Sequence, residues 1–236
     1  MVNHVYGNTK IKILKNFKKL IEHIILFFLS FFYKFNKSQK IIISSAIYAP
    51  WKDDEKFFNL FSKIKDLTII DEARAYTLWH LSKSLRNIQG DIFDVGCMKG
   101  GAGILMSKAS KNKNTKTYFI DTFDGFAKSS GEYKKKETYV YNKIDELIKN
   151  LKVFKIQNFK VLKKKFPKKI SIKKKIKLCH LDINIYEDTV KSFLFVDKHL
   201  IKNGIIVFDD YGIFKADGII KAIKKILKEK YDKKYH

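Results

Sequence analysis

The chain reads as an α/β fold, a mostly parallel sheet flanked by helices, with an N-terminal helical extension. Three observations predict it. Short apolar runs suited to buried strands alternate with helical patterns over residues 92–208, as expected of parallel strands joined by crossover helices. The first run, Ile92 to Val95, stops at Gly96 and is followed by Gly100, Gly101, Gly103 and a helical Ile104 to Ala109. A strand, a glycine turn and a helix start form a ligand cradle. Finally, Asp121, Asp182 and the pair Asp209-Asp210 close later strands, at the edge where open parallel sheets bind ligands.

Length and composition bound the partners. At 236 residues with 45% hydrophobic residues and 20 Phe, the chain suits one domain plus an extension. The expected division is 1–45 and 46–236. The net charge of +25 invites a nucleic-acid or membrane partner. Among the 49 basic residues only Arg74 and Arg86 are arginine, whereas phosphate and base-edge readers use the planar guanidinium fork. No Asn-Pro-Pro-Tyr base-flipping motif follows any strand. Specific nucleic-acid binding is therefore not expected. Cys97 and Cys179 have no metal-type spacing and frame no disulfide network, which suits a reducing, cytoplasmic setting. In the glycine turn Cys97 reads as a small buried residue before it reads as a nucleophile.

From the N-terminus, residues 10–36 place Ile13, Phe17, Leu20, Ile21, Ile24, Phe28 and Phe31 at helical spacing behind a lysine-rich start. The apolar run after His23 is shorter than the roughly 20 residues a membrane span needs. Three readings follow, in order: packing on its own domain or a second subunit, lying on the inner membrane face, and a secretion signal. Residues 51–87 read as helices broken near Asp66-Leu67-Thr68. Thr117 to Asp121 is the second strand, about 20 residues beyond the glycines, where an acid meets ribose hydroxyls. Residues 126–150 read as a lysine-rich lid over the site or a solvated helix, Val153 to Ile156 as a third strand, and Lys163 to Lys177 as a basic linker around Pro167. Two strands, Ile176 to Asp182 and Gly204 to Phe208, flank a helix over Tyr186 to Leu200.

The acids carry the chemistry. Asp182, Asp209 and Asp210 on adjacent strand ends would repel one another unless a hard cation such as Mg2+ joined them. A helix cap is the competing use for any one of them. His180 lies two residues before Asp182, so both leave the strand on one face. It reads either as a general base or as a buried, hydrogen-bonded histidine.

Four motifs in this order, Gly90-Asp-Ile-Phe-Asp-Val-Gly-Cys-Met-Lys-Gly-Gly, Phe119-Ile-Asp-Thr-Phe-Asp-Gly-Phe, His180-Leu-Asp-Ile-Asn-Ile-Tyr-Glu and Phe208-Asp-Asp-Tyr-Gly, resemble the macrocin O-methyltransferase (TylF-type) family over roughly residues 68–225. The resemblance implies a Rossmann-like class I methyltransferase fold, S-adenosylmethionine as methyl donor, and Mg-dependent transfer to a sugar or glycan hydroxyl in polysaccharide biosynthesis. It implies that Asp94, Gly96, Gly100 and Gly101 cradle the methionine end of the donor and Asp121 its ribose. Asp182, Asp209 and Asp210 would hold the metal, and Asp182, His180 or a residue of the 126–150 loop would serve as base.

Met98-Lys99 stands where the family carries Trp-Arg, and Asn184 where it carries a second Asp. The family also continues into a closing antiparallel strand pair, so the chain reads either as an abbreviated domain or as a truncated product with an unprotected sheet edge, which invites association into a homo-oligomer. The competing reading is a catalytically weak scaffold in polysaccharide assembly, held at the membrane through residues 10–36.

Overall fold

A computed structural model describes residues 8–31, 49–123, 143–172, 175–183, 185–211 and 217–228. The chain divides into two compact units, Met1–Ala49 and Pro50–His236. In the first unit, Phe17, Leu20, Ile24, Phe27 and Phe28 of helix α1 (Asn8–Ser30) and the following Phe31 are exposed. Phe27 makes edge contacts with both Phe28 and Phe31.

The second unit is built on five strands: β1 (Asp91–Val95), β2 (Thr117–Asp121), β3 (Phe159–Lys163), β4 (Ile176–Leu181) and β5 (Leu200–Phe208). They pair in parallel in the order β3-β2-β1-β4-β5. All five β1 residues and all six β4 residues are buried, as expected for central strands covered on both faces. Alternation along the strands separates two cores. Ile92, Phe119 and Leu178 face α2 (Glu55–Ile64), α3 (Glu72–Ser84), α4 (Gly101–Ser110) and α5 (Ile144–Val153). Phe93, Val95, Tyr118, Ile120, Cys179 and Leu181 face the other side with Val196 of α6 (Tyr186–His199). Helix α7 (Asp217–Ile226) packs on α6.

Local signals account for several boundaries. Asp54 and Asp71 cap α2 and α3 by accepting the N–H groups of Phe57 and Arg74, satisfying donors that a helix start leaves free. The break expected near residue 66 is a short 3-10 turn, Lys65–Leu67.

The third strand departs from expectation. Val153 ends α5 instead of opening a strand, because Leu147 and Leu151, four apart, bury the helix face. The strand is Phe159–Lys163, half exposed at the sheet edge. The fifth strand also begins earlier than Gly204, at Leu200. The expected lid falls largely outside the described residues, as do Asn184 and the C-terminal residues 229–236.

Candidate active site

The site collects at the C-terminal edge of β1, β4 and β5. Register sets Asp94 opposite His180 and His180 opposite Val207. Side-chain period two then places Asp94, His180, Asp182 and Asp209 on one face. His180 Nδ1 lies 2.9 Å from Asp94 Oδ1, and both residues are buried. Nε2 lies 3.7 Å from Asp209 Oδ1, too far for a hydrogen bond. Among the described residues, that nitrogen and Asp94 Oδ2 have no hydrogen-bond partner.

Asp182, Asp209 and Asp210 each offer a ligand oxygen, and these atoms lie within 4.8 Å of one another. Asp210 holds a left-handed backbone, φ 51°, a conformation costly for a non-glycine residue and characteristic of functional sites.

Arg74, from the first turn of α3, was not anticipated as part of the site. Its Nη1 donates to Asp209 Oδ2 at 2.7 Å and to Asp210 Oδ1 at 3.2 Å. Its scarcity as one of two arginines in a lysine-rich chain was the only sequence signal for it. With every group ionised, four carboxylates face His180 and Arg74. Asp71 on Arg74 Nε adds a fifth carboxylate, so negative charge stays in excess at this edge, and these residues fit a hard divalent cation such as Mg2+.

Environment separates the titrating groups. Burial lowers the His180 pKa, but Asp209 and Asp94 outweigh it and hold the imidazole up to about 10. His180 thus lies between Asp94 and Asp209 in surroundings that favour its protonated form. Burial first, with Asp209 and Asp210 adding to it against His180, lifts Asp182 to about 7. Burial would raise Asp209 too, but His180 and Arg74 pull it below the usual carboxylate range.

The glycine turn has a packing role as well as an open helix start. A Cβ at Gly96 would strike the Asp182 carbonyl oxygen, and one at Gly100 would come within 2.5 Å of Leu147 Cδ1. Gly101 abuts Thr68, and Gly103 abuts Phe119 and Asp94. These glycines are thus required by close protein neighbours. Gly100 caps α4 without a side-chain hydrogen bond, so the helix start suits an anionic group such as the carboxylate end of a methionine.

Asp121 clamps the turn by accepting the N–H groups of Met98 and Phe123, each at 3.0 Å. Burial raises its pKa despite those bonds. Lys99, at the family's arginine position, pairs with Glu146 of α5 at 3.1 Å, and its carbonyl accepts from Asn150. Cys97 is buried and its thiol is pushed well up, first by burial and then by Asp94 and Asp121. Such a thiol is inert.

The profile of the macrocin O-methyltransferase (TylF) family matches residues 65–231. The chain belongs to that family. Membership makes it an S-adenosylmethionine-dependent O-methyltransferase. Among solved structures, the O-methyltransferase NovP is similar to this TylF-family chain with a TM-score of 0.61 at 17% identity, covering 69% of this chain and 74% of NovP. The calicheamicin methyltransferase CalS11 is similar with a TM-score of 0.55 at 15% identity, covering 82% of this chain and 91% of CalS11. Its apo form, described as a TDP-rhamnose 3'-O-methyltransferase, gives a TM-score of 0.50 at 15% identity over 77% of this chain and 88% of that one. These likenesses bear out the Rossmann-like methyltransferase fold. No curated protein sequence matches the chain.

Proposed function

We propose that this TylF-family enzyme methylates a hydroxyl of a sugar or surface-glycan precursor, with Mg2+ held by Asp182, Asp209 and Asp210. The convergence of those three carboxylates within 4.8 Å carries the metal assignment. The sugar acceptor is supported by the fold shared with CalS11, which is named for TDP-rhamnose methylation. Asp94, Gly96, Gly100 and Gly101 would receive the methionine end of the donor and Asp121 its ribose.

In the reaction the acceptor oxygen bonds to the sulfonium methyl carbon while the carbon–sulfur bond breaks, leaving a neutral thioether and releasing the hydroxyl proton. The sulfonium is already activated, so the chain's work is alignment and proton removal. Asp182, at the end of β4 beside the other acids, is the group assigned to take that proton. His180 orients Asp94 through its Nδ1 contact and faces Asp209 across the edge. Magnesium, when bound, supplies positive charge that favours the ionised hydroxyl.

The test is methyl transfer from labelled S-adenosylmethionine to a panel of nucleotide sugars and glycans, with Mg2+ or EDTA. Sugar methylation that EDTA abolishes is expected, and the double variant Asp209→Ala/Asp210→Ala should lose it. Undiminished Mg-stimulated transfer by that variant overturns the metal assignment.

The extension adds a location. The outward stripe on α1, 47–69% exposed from Ile24 to Phe31 at the extremes, lies on a helix that begins lysine-rich. It suits peripheral contact with an anionic inner membrane face. No helix among the described residues is long and apolar enough to cross a membrane.

A further inference from the structure

Arg74 is held from two sides before it reaches the acids. Its Nε donates to Asp71 Oδ2 at 2.8 Å and its Nη2 to the Ile69 carbonyl at 3.3 Å. Asp71 is also the cap of α3, accepting the Arg74 backbone N–H at 2.9 Å. The helix start therefore aims the guanidinium, and the remaining nitrogen bridges Asp209 and Asp210, 135 and 136 residues further along the chain. A lysine ammonium could not make this set of contacts, because only a planar fork presents donors in several fixed directions.

We propose that Arg74 is a positioning residue and the resident counter-cation of the acid pair. It holds the Asp209 and Asp210 carboxylates side by side in the metal-free protein and competes with a divalent cation for their charge. The inference rests on the metal reading of the same acids. Its physical basis is that two carboxylates brought this close are stable only beside positive charge, and Arg74 supplies it with its side chain 29% exposed. A metal entering the site must share those carboxylates with the guanidinium, so Arg74 weakens metal binding while it keeps the empty site formed.

The experiment is calorimetric titration of Mn2+ into the full-length wild-type chain, Arg74→Gln and Arg74→Lys, with melting curves in EDTA and in Mn2+. Arg74→Gln is expected to melt lower in EDTA, to regain more than wild type on adding Mn2+, and to bind Mn2+ roughly tenfold more tightly, the scale of one neighbouring charge removed. Arg74→Lys should fall between the two, and it carries the test if Arg74→Gln does not fold in EDTA. A purely structural arginine predicts weaker Mn2+ binding in both variants. Equal or weaker binding by the variants, with wild type binding normally, overturns the counter-cation role and leaves the metal reading standing. Absence of Mn2+ binding by all three chains overturns the metal reading, and this inference with it.

Discussion

Replacing Gly96 with Ala tests whether the glycine turn is built for packing against the site. Gly96 has φ 84°, a left-handed backbone that costs an ordinary residue about 1–2 kcal/mol. The added Cβ would meet the Asp182 carbonyl oxygen, with the Asp182 carbonyl carbon at 3.1 Å and its Cβ at 3.2 Å. Neither backbone can retreat freely, because Gly96 donates to Ile120 at 2.8 Å and Asp182 donates to Val95 at 2.9 Å. Overpacking against such a wall costs about 1–3 kcal/mol, so the total is roughly 2–5 kcal/mol. For a unit of this size that lowers Tm by roughly 5–20 °C. Because the strained contact is to Asp182, metal affinity should fall as well. Circular-dichroism melting and Mn2+ calorimetry read both effects. A Tm within about 2 °C of wild type, with unchanged metal binding, would refute the reasoning.

Lys177 is fully buried and donates to the Leu85 and Ile88 carbonyls and to Ser110, while burial lowers its pKa to about 8 against the pull of Asp91. The unfolded chain, at the ordinary lysine value, binds more protons between about pH 8 and 10.4. Stability from this group must therefore rise with pH across that window, by at most about 3 kcal/mol. Lys177→Met should flatten that rise relative to wild type in urea melts from pH 8 to 10, and identical pH slopes would count against it. For the extension, vesicles with anionic lipid should carry the full chain to the top of a flotation gradient and leave a chain lacking residues 1–40 behind. Equal flotation of the two forms would remove the membrane contact.

Much of the fold was legible because its signals are local. Buried central strands read as apolar runs, the glycines marked the turn after Val95, and period two put His180 and Asp182 on one face. The acids at the strand ends were visible for the same reason. The third strand was not legible: Phe159–Lys163 is a half-exposed edge strand with weak patterning, and the apolar residues before it belong to the end of α5.

What the sequence by itself determined is the parallel α/β plan, the turn and the acidic edge, each set by contacts within a few residues. Strand order and helix docking decided the rest. Placing β4 beside β1 joins Asp94 to His180, and docking α3 over the acid edge brings Arg74 to Asp209 and Asp210. The glycines acquire their necessity from Leu147, Thr68, Phe119 and Asp182. Those partners lie far apart in the chain, and side-chain charge and burial there follow from neighbours that only folding supplies.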